Sequence, residues 1–353
     1  MTHANDAFRI SESTTELATK HVADILTLAF EYTPAQRAVV VFDKDCDLAT
    51  TLTAAYRAFL KDATFVQFNA EDPDTVLRAF EPLESGDLVV LVQSTSFRLA
   101  AFRIRLELFR RGLKVLEHPH LARMLNQEPL IYIDALAYDP SYYRVVGAEL
   151  KRRIDQTATV HVDSGGETLI YSNGLEPAKL NVGDYRAMKN VGGQYPIGEV
   201  FTESKELEAV NGRIRIACFG DTRYRVNQPE EPITLVIEKG RIVETLGTTP
   251  EFEAVLDNIR SDEGEVLVRE LGFGMNRALT RTRVVSDIGT YERMCGIHLS
   301  IGSKHASYNK PGIRKRSARH HVDVFAATES VRLDDEVVFK NNAWIVPVGS
   351  SHS

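Results

Sequence analysis

The chain is predicted to be α/β, with a doubly wound parallel-sheet domain over residues 1–155 and a mixed α+β domain over residues 156–353. Two patterns predict this. Helical and strand periodicities alternate through the first part, which implies parallel pairing through crossover helices. From about residue 158 onward, strand and hairpin signals follow one another with a single helical interruption.

The first helix is expected over 15–33, where Leu17, His21, Ile25, Leu28 and Phe30 fall near one helical face. "RAVVVFD" (37–43) is a β-branched run that reads as a strand. Helical spacing returns over 48–62, a strand over 63–69, a helix over 75–80 and a strand over 87–94. A further helix over 102–112 leads to a strand over 113–118, and a helical bridge over 141–157 closes the series. No strand here runs into GxGxxG or GxxxxGK, so this layer is expected to bind no dinucleotide or triphosphate.

Beyond the bridge, strands are expected in 159–172, 212–220, 233–246, 265–274, 296–302 and 331–346, with a helix over 250–261. Within 233–246, "EKGRI" reads as a tight turn between two amphipathic strands.

Composition narrows the class. Hydrophobic residues make up 43% and charged residues 26% of the chain, as in ordinary soluble proteins. A formal net charge of −7 leaves no electrostatic footprint for nucleic acid. The one dense basic run, "KPGIRKRSARHH" (310–321), reads equally as a solvated loop or as the face met by an anionic substrate group. Cys46, Cys218 and Cys295 are far apart and form no CxxC pair, which argues against a disulfide framework or a thiolate zinc site. The first residues lack a basic region followed by an apolar core, and no apolar run has the length of a membrane span. A cytoplasmic protein without membrane partners is expected.

The chemistry concentrates in "RHHVDVF" (319–325). In a strand, residues i and i+2 share a face, so His321 and Asp323 project together while Val322 and Val324 face away. An imidazole and a carboxylate at that spacing can hold one divalent cation, although most isolated His-x-Asp strings are surface pairs or satisfied core residues. Three further segments supply matching donors: Glu199 in "GQYPIGEVFT", Glu270 in "VLVRELGFG" and His298 in "GIHLSIG". Taken singly, each carboxylate is better read as a salt-bridged or rim residue. Together, two imidazoles and three carboxylates suffice for two metals sharing a carboxylate.

The series "PIGEVFT … RELGFGMN … GIHLSIG … HHVDVF" resembles the thermophilic aminopeptidase family, the M29 metallopeptidases, chiefly over residues 190–340. The resemblance implies a C-terminal metal-binding catalytic domain, a homodimer, and a hydrolase that uses a metal-activated water on a short peptide or other small molecule. It implies divalent zinc, cobalt or manganese, one or two ions, held by Glu199, Glu270, His298, His321 and Asp323, with Glu270 resembling a metal bridge. The family carries a tyrosine seven residues after the histidine matched by His298, and here that position is His305, with Tyr308 three further on. These two are the candidate catalytic residues, and Lys304 and Lys310 are candidate anchors for a substrate carboxylate. The alternative is a polar loop between Gly302 and Pro311 with no catalytic purpose. The ring-cleaving 2,5-dihydroxypyridine dioxygenases are similar too, and nearer in length. Their likeness implies one Fe(II) held by two histidines and a carboxylate. In that group a histidine stands where this chain has Glu270, and no ligand stands at His298. Ligand identity therefore favours the hydrolytic reading, while a segment from His298 to His321 shorter than in typical aminopeptidases favours the dioxygenase one; a metal-dependent enzyme of another small non-peptide substrate is the third class.

Overall fold

The structure is a computed structural model that describes residues 10–99, 104–187, 193–313 and 318–346. The chain divides into two compact units, Met1–Pro140 with Gly183–Ile197, and Ser141–Val182 with Gly198–Ser353. Among the described residues no helix is long and apolar enough to cross a membrane.

The first unit is built on β1 (Ala38–Phe42), β2 (Thr64–Gln67), β3 (Leu88–Val92) and β4 (Lys114–His118), in the order β2-β1-β3-β4. Every pair in this sheet is parallel. Its helices are α1 (Glu12–Asp24), α2 (Asp47–Phe59), α3 (Pro73–Phe80), α4 (Ile104–Arg110) and α5 (Glu128–Ala135). β1 and β3 are buried at every position, as a parallel sheet covered on both faces requires. On one face Val39, Val41, Val89, Leu91 and Val115 pack with Val76 and Phe80 of α3 and with Ile104 and Leu108 of α4. Each such side chain contributes about 1.5–3 kcal/mol when fully buried. Asp72 caps α3 by accepting from Thr75 N at 2.9 Å, and Pro73 occupies the first turn, where a missing N–H costs nothing.

Two details depart from the sequence reading. The first helix ends at Asp24 and passes into a π-helical turn, Ile25–Ala29, in which Phe30 N bonds to Ile25 O at 3.2 Å. The wider turn rotates the following residues, so Leu28 is 40% exposed while Leu26 and Ala29 are buried. Helix α5 was not anticipated, because its mostly buried sequence carries no amphipathic stripe. The helix expected over 102–112 is described from Ile104; residues 100–103 lie outside the described residues.

At the end of β4, His118 is fully buried between two tyrosines. Tyr132 donates its hydroxyl hydrogen to the carbonyl of Tyr195 at 3.1 Å, so it accepts from His118 Nδ1–H at 2.9 Å. Tyr56 must then donate to Nε2, at 2.6 Å. Burial pushes the His118 pKa down to about 3, and the ring is neutral.

The second unit opens with a π-helical turn, Ser141–Val146, and α6 (Gly147–Gln156), the bridge expected over 141–157. There follow β5 (Val160–Ser164), β6 (Glu167–Tyr171), β7 (Lys179–Asn181), β8 (Glu199–Glu203), β9 (Val210–Gly220) and β10 (Val226–Asn227). Next come β11 (Ile233–Glu238), β12 (Arg241–Leu246), α7 (Pro250–Glu263), β13 (Val268–Gly274), α8 (Ile288–Tyr291) and β14 (Gly296–Ile301). β15 (Val322–Ala326), β16 (Ser330–Leu333), β17 (Glu336–Lys340) and β18 (Ala343–Trp344) complete the unit. One antiparallel sheet runs β18-β17-β16-β5-β6-β9-β15-β14-β13-β8-β7, with β10 and the β11–β12 hairpin joined to β9. The turn expected at "EKGRI" is present: Lys239 and Gly240 both have positive φ, 48° and 72°, the requirement of a type I′ hairpin.

Candidate metal centre

Strands β8, β13, β14 and β15 are neighbours, and their register sets one face of the sheet. Glu270 pairs with Glu203, Gly274 with Glu199, Gly272 with both Phe201 and His298, and Ser300 with Asp323. Directly paired residues point to the same side, so Glu199, Glu203, Glu270, His298 and Asp323 all project from one face. A glycine at position 272 is needed there. A Cβ on Gly272 would lie 2.0 Å from His298 Cε1 and 2.1 Å from its Nε2, so the imidazole lies directly over the bare backbone.

The donors converge. His298 Nε2 is 3.2 Å from Glu199 Oε1 and 3.4 Å from Glu270 Oε1. His321 Nε2 is 3.2 Å from Asp323 Oδ1, while its Nδ1 donates to the carbonyl of Lys304 at 3.0 Å. That bond leaves Nε2 as the nitrogen facing the carboxylates, the arrangement usual for a metal-binding histidine. His321 itself stands just before β15, which begins at Val322, rather than within a strand. The shared direction of His321 and Asp323 holds all the same.

One acid in this cluster has no forerunner in the sequence reading. Glu292 follows α8, whose start is capped by Asp287. Donor atoms of Glu199, Glu270, Glu292 and His298 lie within 4.8 Å of one another, as do those of Glu292, His321 and Asp323. Glu292 is thus common to both groups. Its only sequence signal is an acid six residues before His298, followed at once by Arg293 and with no periodicity to mark it.

Electrostatics show the strain of gathering these acids. Burial pushes the Glu292 carboxyl up to about 7, helped by Glu199, Asp323 and Glu270 and opposed by Arg293. Burial also opposes ionisation of Glu270, but the imidazoles of His298 and His305 outweigh it and hold that carboxyl below the usual range. His321 is shifted up to about 10: burial lowers its pKa, and Asp323 more than reverses this. Glu199 Oε1 and Asp323 Oδ1 are buried and have no hydrogen bond of acceptable geometry among the described residues, although each is 3.2 Å from an imidazole nitrogen. Buried carboxylate oxygens without donors, close to imidazole nitrogens, fit a divalent cation.

Around this cluster lies a second ring of contacts. His305 Nε2 is 2.8 Å from Glu270 Oε2, and its Nδ1 is 3.2 Å from Glu203 Oε2. Glu203 is paired in turn with the buried guanidinium of Arg269, which also donates to the carbonyls of Ser303 and Tyr308. Tyr308 packs edge-on against His305 at 5.2 Å, but its hydroxyl donates to the carbonyl of Pro177 at 2.6 Å. The Lys310 ammonium is committed to Glu176 and the Lys205 carbonyl, and Lys304 meets the site through its backbone. Glu263, at the end of α7, accepts from Ser303 N at 2.6 Å, Arg319 N at 2.8 Å and His320 N at 2.9 Å. One carboxylate therefore fastens both ends of the basic loop, of which residues 314–317 lie outside the described residues.

No protein-family model matches the chain. No curated protein matches it either. Solved structures do. The 2,5-dihydroxypyridine dioxygenase from Pseudomonas putida KT2440 is similar with a TM-score of 0.60 at 19% identity, over 96% of this chain and 99% of that one. Wild-type AmpT from Thermus thermophilus, an M29 aminopeptidase, is similar with a TM-score of 0.56 at 13% identity, over 94% of this chain and 99% of that one. Both families named by the motifs are thus among the structural neighbours, and at these identities the likeness is one of fold.

Proposed function

We propose that this chain is a metal-dependent hydrolase of small molecules or short peptides, with its centre at Glu199, Glu270, Glu292, His298, His321 and Asp323. The observation that carries the proposal is the composition of the cluster: four carboxylates and two imidazoles on a common side, with Glu270 and His298 both inside it. Such an oxygen-rich set suits zinc, cobalt or manganese. When bound, the ion would lower the pKa of a water and polarise a substrate carbonyl. The chain's own contribution is positional. Lys304 fixes the His321 ring through its carbonyl. His305, held by Glu203, presents Nε2 beside Glu270, where it takes up and returns a proton.

The second reading is a mononuclear iron ring-cleaving dioxygenase. It is favoured by the TM-score of 0.60 to such an enzyme and by the His321–Asp323 pair, which supplies one imidazole and one carboxylate. Metal analysis of protein purified without chelator separates the two. Zinc, cobalt or manganese with cleavage of a chromogenic aminoacyl amide supports hydrolysis. Iron with oxygen uptake on a dihydroxypyridine supports ring cleavage and overturns the hydrolytic proposal.

A further inference from the structure

Arg293 is buried beside the cluster, with its side chain 8% exposed. Its Nη1 is 3.1 Å from Glu199 Oε2 and also contacts Glu292 Oε2. A single guanidinium nitrogen therefore engages one oxygen of each of two acids in the four-donor group. The third acid of that group is engaged as well: Glu270 Oε2 lies 2.8 Å from His305 Nε2. Each carboxylate in the group thus has Oε2 held by a basic side chain, and Oε1 of Glu199 and of Glu270 lies beside His298 Nε2.

A pair of divalent ions about 3.5–4 Å apart is ordinarily held by a carboxylate that gives an oxygen to each ion. Glu292, the residue common to both donor groups, is the natural bridge, yet one of its two oxygens, Oε2, already belongs to Arg293. Glu199 is limited in the same way. A second ion drawn to these oxygens would also meet a fixed positive charge that cannot be shed, because a guanidinium stays protonated in proteins.

We infer that Arg293 is a resident cation that fills one of the two positive positions of the cluster, so that the centre takes a single divalent ion. This rests on the metal-centre reading above and sharpens it. The arginine is a positioning residue: it holds Oε2 of Glu199 and of Glu292 and so removes the bridge that a second ion needs.

Manganese titration tests this directly. Full-length protein is stripped with chelator, re-purified and titrated with Mn2+, with free ion followed by its six-line electron paramagnetic resonance signal. The expected result is a break at one equivalent per chain and a bound spectrum without exchange coupling. Two equivalents with a coupled spectrum would overturn the inference while leaving the metal centre intact. No binding at all would overturn the metal centre, and the inference with it. Arg293→Gln frees both of these oxygens, and a second equivalent is expected, bound at least tenfold more tightly than any second ion on the unaltered chain. Arg293→Met serves the same purpose should the glutamine variant not fold, and the titration of the unaltered protein decides the count even without either. A variant that folds, lacks the guanidinium and still takes one ion shows that the arginine does not set the number.

Discussion

His305 presents Nε2 to Glu270 Oε2 at 2.8 Å, and the other side of its ring is held by Glu203 at 3.2 Å. An imidazole fixed at both nitrogens, at the edge of a carboxylate cluster, is arranged to pass a proton. Replacing His305 by Phe should lower kcat on a cleaved aminoacyl amide by about 10²–10⁴-fold with metal content unchanged. Loss of metal together with activity would instead make His305 a ligand.

Glu203 and Arg269 form a pair whose side chains are 0% and 2% exposed. Truncating the acid leaves an uncompensated buried guanidinium, the costly case for a buried ion pair. Glu203→Ala should lose about 3–5 kcal/mol of stability in a denaturant titration. A loss under about 1 kcal/mol would show that Arg269 finds solvent or another acceptor.

Metal uptake should strengthen as pH rises. In the metal-free chain His321 is shifted up to about 10, Glu292 up to about 7, and His298, against the opposing effect of burial, well above its usual value by Glu199 and Glu270, so below neutrality all three carry protons that a cation must displace. Between pH 6 and 7 the affinity should climb by up to about three decades per unit, and above 7 by up to about two, since each proton released contributes about tenfold per unit. Competition titrations at pH 6, 7 and 8 read this slope, and a flat profile contradicts it.

His118 should make the first unit acid-sensitive. Its folded pKa, about 3, lies below the value of about 6.5 expected in the unfolded chain. The unfolded state therefore binds more protons, and the stabilisation present above pH 6.5 drains away as pH falls towards 3. The slope is about 1.4 kcal/mol per pH unit. His118→Gln removes the titrating group, so its stability between pH 4 and 6 should fall less steeply than that of the unaltered protein, whatever its starting value.

Much of this was legible in residue order. The β-branched runs of β1 and β3, the Lys239–Gly240 turn and the shared direction of His321 and Asp323 follow from local chemistry and two-residue alternation, whereas Glu199, Glu270 and His298 were joined to that pair by motif order and resemblance. Glu292 was not, because it sits in a turn after a four-residue helix, where no period marks its direction. Arg293 and Glu203 were hidden for a different reason. Their roles exist only through cross-strand register and loop packing, and a single charged residue in sequence looks the same whether it faces solvent or another charge. The face of α1 was misjudged at Leu28 because nothing in the composition announces a π turn.

Glu263 joins Ser303 to Arg319 and His320 through three backbone hydrogens. A segment tied off at its neck by one side chain is mechanically separate from its own middle. Past Lys304, His305 and Lys310, which are held at the site or to Glu176, the rest of the segment can be lengthened or shortened at little entropic cost, since closing a longer loop adds only about 0.6 kcal/mol per doubling. His321 and Asp323 lie just past the knot and would keep their places through such changes. The segment is in this sense a replaceable insert: its length can change while Glu263 keeps its two ends, and with them the approach to His321 and Asp323, in register.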